Sequence, residues 1–144
     1  MSTLTAMDVA IHEAAHCITA LALGVTVYEV ALSRAQNGGF CGTCAVSTSN
    51  DAAVRFAVAR AGEIACQNAG LPPSNDDARE QRSALSLAAA RDGNVVGAET
   101  RGDMLARHIL SQNRPLIQCL AKRLRSRRRL GPDDLADIAL RVQR

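Results

Sequence analysis

The stretch from Thr5 to Leu23 constrains the fold more than any other part of the chain. Val9, Ile11, Ile18, Leu21 and Leu23 spread apolar side chains nearly all round a helix, and a helix that is hydrophobic on every side belongs in the centre of a domain. Thr5 and Asp8 form the pattern of a capping box that opens it, and Gly24 supplies its stop. Yet His12, Glu13 and His16 stand inside it. Unpaired polar groups are costly in such a place, so they need a reason.

The remainder of the sequence is suited to wrapping a buried helix. Its 144 residues fit one domain with a sizeable core. Hydrophobic residues make up 47% but aromatics only 2%, so the core consists of many small Ala, Leu and Val contacts. That favours closely packed helices over a β-sandwich. The β-branched run from Val25 to Ser33 reads as a strand, Asn37-Gly38-Gly39 as a hairpin turn, and Phe40 to Ser47 as the returning strand. A helix is expected from about Asp51 to Ala69, ended by Gly70 and Pro72-Pro73. Ser74 with Asp77 reads as a second capping box opening a helix to about Arg91. Asp92-Gly93-Asn94 is a turn. Ala98 to about Arg129 is helical with an interruption near Asn113-Arg114-Pro115, and Gly131-Pro132 starts a last short helix. The expected fold class is mainly α with one small β-hairpin, occupying residues 1–144 as a single unit.

The polar residues of the central helix have metal-ligand spacing. Residues four apart project from one helix face, so His12 and His16 can both turn an imidazole nitrogen to one zinc ion. Glu13 lies beside His12, placed to act as a base and not as a ligand. Zinc acidifies water and polarises carbonyls, and a carboxylate at this position can take the proton as water attacks. Five-residue HExxH matches also arise by chance. Here two of the chain's three histidines fall in this one motif, on a helix where they would otherwise be a liability.

A catalytic zinc commonly takes three protein ligands, and the residues alone leave Glu29, Glu63, Asp76, Asp77, Glu80 and His108 open as the third. Ile11-His12-Glu13-Ala14-Ala15-His16-Cys17-Ile18 resembles the HEAGHA segment of the FtsH-type metalloprotease domain. Other segments are similar in the same order: Val30-Ala31-Leu32-Ser33 with its Gly-rich turn, Ala61-Gly62-Glu63-Ile64-Ala65 beside the family's AGRAAE helix, Ser74-Asn75-Asp76 beside its SND stretch, and Leu110 through Ala139 beside its closing helices. The resemblance implies His12, His16 and Asp76 as ligands of Zn2+, with Glu13 catalytic. Asp77 is then the capping partner of Ser74. Two departures stand out: Ala15 replaces a glycine, and Cys66 stands where the family often has an acid.

Other signals are weaker. The five cysteines, Cys17, Cys41, Cys44, Cys66 and Cys119, are odd in number and argue against a disulfide framework. Cys17, Cys66 and Cys119 have apolar helical neighbours and read as small hydrophobes. Cys41 and Cys44 form a CxxC whose thiols face opposite sides of a strand, which disfavours a metal or redox role. From Cys119 to Arg144 there are eight Lys/Arg against three Asp/Glu, a local charge of +5 in a chain of +3. With no aromatic interleaving, the run Lys122 to Arg129 reads as a solvated helix end or protein-contact surface in preference to a nucleic-acid site.

The sequence thus leads to a zinc-dependent metallopeptidase acting on unfolded or flexible polypeptides. No nucleotide-binding loop of the form GxxxxGK[ST] is present, so hydrolysis is expected to be ATP-independent. No basic region precedes an apolar stretch at the N-terminus and no apolar run is of membrane-spanning length, so a cytoplasmic location without membrane contact is expected. A separate protein partner or homo-oligomerisation is compatible with this reading. The alternatives are a regulatory or binding module that has lost proteolysis, and a nucleic-acid-binding protein using its basic C-terminal helix.

Overall fold

In a computed structural model of the chain, residues 4–72 and 77–144 are described. The first helix, α1, spans Ala6–Ala22. Its capping box is formed as expected: Asp8 N donates to Thr5 Oγ1 (3.1 Å) and Thr5 N donates to Asp8 Oδ2 (2.9 Å). Ala10, Ala14, Ala15, Cys17, Ile18 and Ala20 are fully buried. Four of these six are alanines, so neighbouring elements approach the helix axis closely, and small volumes do the work of the missing aromatics. The Thr19 hydroxyl is also fully buried and has no hydrogen-bond partner among the described residues.

The chain reverses at Gly24, whose φ of 75° suits a residue without a Cβ, and enters β1 (Val27–Arg34) and β2 (Phe40–Val46). These pair antiparallel, Val30 opposite Cys44 and Leu32 opposite Gly42. Helix α2 (Ala52–Asn68) is capped by Asp51, whose Oδ1 accepts from Ala53 N and Val54 N. Then come α3 (Ala78–Arg91), α4 (Val95–Gln112) and α5 (Arg114–Arg127). The interruption expected near Pro115 is a complete break between α4 and α5. Buried Asn113 marks it, donating from Nδ2 to Ile109 O (2.7 Å) and Gln143 O (2.9 Å) and accepting from Gln143 N (2.8 Å), which ties the C-terminal segment to the break.

A third strand, β3 (Arg129–Leu130), was not anticipated. Arg128 takes a left-handed conformation, φ 70°, which ends α5. The next two residues pair with Val30 and Ala31, completing an antiparallel sheet of order β2-β1-β3. The signal that outweighed helix propensity is Leu130, fully buried in the core. Helix α6 (Pro132–Arg141) closes the described chain. The architecture is therefore mainly helical around one small three-stranded sheet. No described helix is long and apolar enough to cross a membrane. One edge of the sheet, β2, has no strand beside it among the described residues.

Candidate metal centre

The helical spacing of His12 and His16 does what geometry requires. Both rings lie on the buried face of α1 with their Nε2 atoms 3.2 Å apart. A carboxylate oxygen completes the group: Asp77 Oδ2 is 2.8 Å from His12 Nε2 and 3.1 Å from His16 Nε2. Among the described residues this is the group of three side chains able to hold a metal ion. Ligands about 2.0–2.1 Å from zinc in a tetrahedron stand about 3.3 Å from one another, so three atoms separated by 2.8–3.2 Å make a slightly contracted face of such a tetrahedron.

The surroundings of the rings fit the same purpose. His16 Nδ1 donates to the Val58 carbonyl oxygen at 2.6 Å, which leaves its Nε2 lone pair available when the ring is neutral. His12 Nδ1 faces Cys66 Sγ at 3.6 Å. Gly62 on α2 provides the space: a Cβ there would stand 2.6 Å from both Nε2 atoms. A glycine inside an alanine-rich helix costs about 1 kcal/mol relative to alanine, and here the missing methyl leaves room for the two imidazole rings.

Electrostatics bind the three groups together. Burial, the largest influence on His12, disfavours its charged form. Hydrogen bonds with Asp77 and Cys66 and the charges of Asp77 and Glu13 overcome it and raise the ring to about 10. His16 is raised too, against burial, by the hydrogen bond to Asp77 and the charges of Asp77 and Glu13. Burial alone would raise Asp77, but hydrogen bonds to both histidines and their charges hold it well below the usual carboxylate range.

Glu13 is buried at the same cleft, 5% exposed. Strand β2 crosses it at Gly42, where a Cβ would lie 2.5 Å from Glu13 Cγ and 2.9 Å from Oε2. The second strand can reach this position only because residue 42 has no side chain. The cleft has a volume of about 720 Å³, with β2 as one wall and residues of α2 and the start of α3 as the other.

Some sequence expectations need correction, and one lies outside the described residues. Asp77, expected as the capping partner of Ser74, is itself the N-cap residue of α3. It makes no side-chain cap bond there and turns its Oδ2 to the histidines. Asp76, the ligand implied by the resemblance, lies outside the described residues, as does Ser74. Glu63, another candidate, is engaged elsewhere: it pairs with Arg60 and accepts from Gln81 Nε2 at 2.9 Å. His108 is exposed on α4, and Glu29 pairs with Arg129. Cys66 is more than a small hydrophobe, since its Sγ contacts the His12 ring.

The two glycines and Cys66 were readable in part. A glycine in mid-helix or mid-strand asks for a close approach, and Cys66 shares with Gly62 the face of α2 that Val58 turns to His16.

The CxxC does not assemble. Cys41 is exposed beside Ser33, whereas Cys44 faces inward, its thiol pushed well above the usual range by a hydrogen bond with Cys17, by burial and by the charge of Glu13. The basic run is largely committed: Arg123 forks onto Asp137, Arg127 reaches Asp134, Arg129 pairs with Glu29, and Arg128 stacks over the Phe40 ring at 5.1 Å. The chain matches no protein-family model and no curated protein.

Proposed function

We propose that this protein is a zinc-dependent metallopeptidase of zincin-like build, related to the FtsH-type peptidase domain, that hydrolyses flexible or unfolded polypeptides without ATP. The single observation that carries the reading is the convergence of His12 Nε2, His16 Nε2 and Asp77 Oδ2 in a cleft that also holds the Glu13 carboxylate. Those three residues would hold the ion. Zinc, when bound, supplies a Lewis acid that polarises the scissile carbonyl and acidifies water.

The chain's own residues account for the rest. Glu13 takes the proton of the attacking water and delivers it to the leaving amine, a general-base and then general-acid role. His16 is kept in its ligand tautomer by the Val58 carbonyl, and His12 is steadied by Cys66. The free edge of β2 beside Glu13 offers backbone donors and acceptors to an extended peptide, by strand addition. Folded proteins present such a segment only after local opening, which for core elements costs up to the global stability of about 5–15 kcal/mol. Flexible chains are therefore the natural substrates.

The test is zinc content and hydrolysis of a casein-like substrate in the presence and absence of ATP. The parent chain should bind close to one zinc and hydrolyse the substrate equally well in both conditions. Glu13→Gln should keep the zinc and lose hydrolysis by orders of magnitude. A parent that stays metal-free after zinc addition, or a Glu13→Gln variant as active as the parent, would overturn the reading.

A further inference from the structure

We infer that Arg55 forms a carboxylate-binding subsite in the metal cleft and makes the enzyme favour peptides carrying a carboxylate two to three residues from the scissile bond. This deepens the peptidase reading and rests on it.

Five of the sixteen arginines pair with a carboxylate among the described residues. Arg60 and Arg107 share Asp103, Arg123 holds Asp137, Arg127 holds Asp134 and Arg129 holds Glu29. Arg55 differs. It is half-buried in the wall of the cleft, and among the described residues it pairs with no carboxylate. Its Nη2 donates to the Ser83 hydroxyl at 2.7 Å, a bond that orients the guanidinium from α3 without neutralising it. A guanidinium held by a neutral partner keeps donors for a planar anion, and carboxylate is the anion its fork matches best.

The neighbouring charges leave that role to Arg55. Exposed Arg79 and Glu80 line the same wall and cancel in formal charge, and Asp8 is occupied by the backbone N–H of Thr5. On α2, Arg55, Val58, Gly62 and Cys66 fall on one face, at helical spacings of three, four and four. Gly62, which cradles the metal ligands, is seven residues beyond Arg55, about 10 Å along the axis. An extended peptide advances about 3.3 Å per residue, so that span is about three residues, or two where the long Arg55 side chain reaches back towards Gly62. The carboxylate can be an Asp or Glu side chain, or the free C-terminus of a peptide.

The experiment uses the zinc-loaded Glu13→Gln chain, so that peptides are bound but not consumed. Affinities are measured for one short flexible peptide bearing Glu, Gln or Lys at each position in turn, with either a free or an amidated C-terminus. A Glu at one internal position should tighten binding roughly tenfold over Gln, the scale of one charge-assisted pair. If instead the free acid alone gains over the amide, the subsite reads C-termini. In either case Arg55→Gln should erase the gain, Arg55→Lys should retain part of it, and Arg79→Gln should leave it in place. Binding that ignores carboxylates, or a preference that survives Arg55→Gln, overturns the subsite and leaves the peptidase reading intact. Zinc-loaded protein that binds none of the peptides overturns both.

Discussion

The basic C-terminal end of this chain and the buried end at the cleft both gather charged groups and treat them in opposite ways. At the C-terminal end, α5, β3 and α6 place six Lys/Arg between Lys122 and Arg129, and most of them are matched locally: Arg123 also donates to the Asp134 carbonyl oxygen while forking onto Asp137. At the other end, α1, α2 and the start of α3 bring two imidazoles and two carboxylates together at one cleft, with one another and a few neighbours for partners. The difference teaches that charge density in a sequence says little about function. What matters is whether each charge finds a partner on the surface or is kept, at a desolvation cost, where a ligand could meet it.

The largest expected effect tests the buried end. Asp77→Ala, like His12→Ala or His16→Ala, should abolish tight zinc binding, measured by metal analysis after dialysis. Asp76→Ala beside it should retain the metal. If Asp76→Ala released zinc and Asp77→Ala did not, the third ligand would be the one the family resemblance implies.

Next is Gly62→Ala. Helix propensity by itself favours alanine by about 1 kcal/mol, but the new methyl would stand 2.6 Å from both Nε2 atoms. Zinc affinity should fall roughly 10–100-fold, the range seen when groups supporting metal ligands are disturbed. An unchanged zinc affinity together with a raised melting temperature would mean that the cradle has no bearing on the ion.

A third effect is the pH dependence of the same end, and its sign reverses with metal. Without zinc, the folded pKa of His12 is about 10, above its ordinary 6.5. Its contribution to stability is fully present below about 6.5 and is lost as pH rises towards 10. Asp77, lowered from 3.8, contributes above about 3.8 and loses that contribution in acid. The metal-free protein should therefore gain most from this cluster between about pH 4 and 6.5. Zinc competes with protons for the rings, so zinc affinity should increase with pH through neutrality, with protons released on binding. Titration calorimetry in buffers of different ionisation enthalpy measures that release. Zinc uptake independent of pH between 6 and 8 would contradict the cluster's electrostatics.

The smallest effect belongs to the basic end. Arg123→Ala should lower the melting temperature slightly and leave zinc content and hydrolysis at the parent level. Asp137 is held at about 2 by Arg123, so this pair stabilises the fold above about pH 4 and ceases to do so as pH falls through 2. A loss of zinc or of hydrolysis in Arg123→Ala would show that the two ends are coupled.

The sequence by itself determined the elements whose signals are local. The capping box at Thr5 and Asp8, the stops at Gly24 and Gly70, the hairpin at Asn37-Gly38-Gly39 and the four-residue spacing of His12 and His16 all depend on neighbours within a few positions. Each is present in the fold. Tertiary structure decided what depends on packing between distant segments. No local signal in the sequence brings Asp77 to face α1. That Asp77 does so follows from where α3 begins and from the bonds Arg55–Ser83 and Glu63–Gln81 that hold α3 against α2. The same holds for Gly62, whose missing side chain matters only because α2 lies against the two rings, and for β3, where burial of Leu130 prevailed over helix propensity. Backbone preference is spent within a turn or two of the chain. Which side chains share a desolvated site is settled only when helices pack, because burial and hydrogen bonding then select among arrangements that local propensity leaves nearly equal in energy.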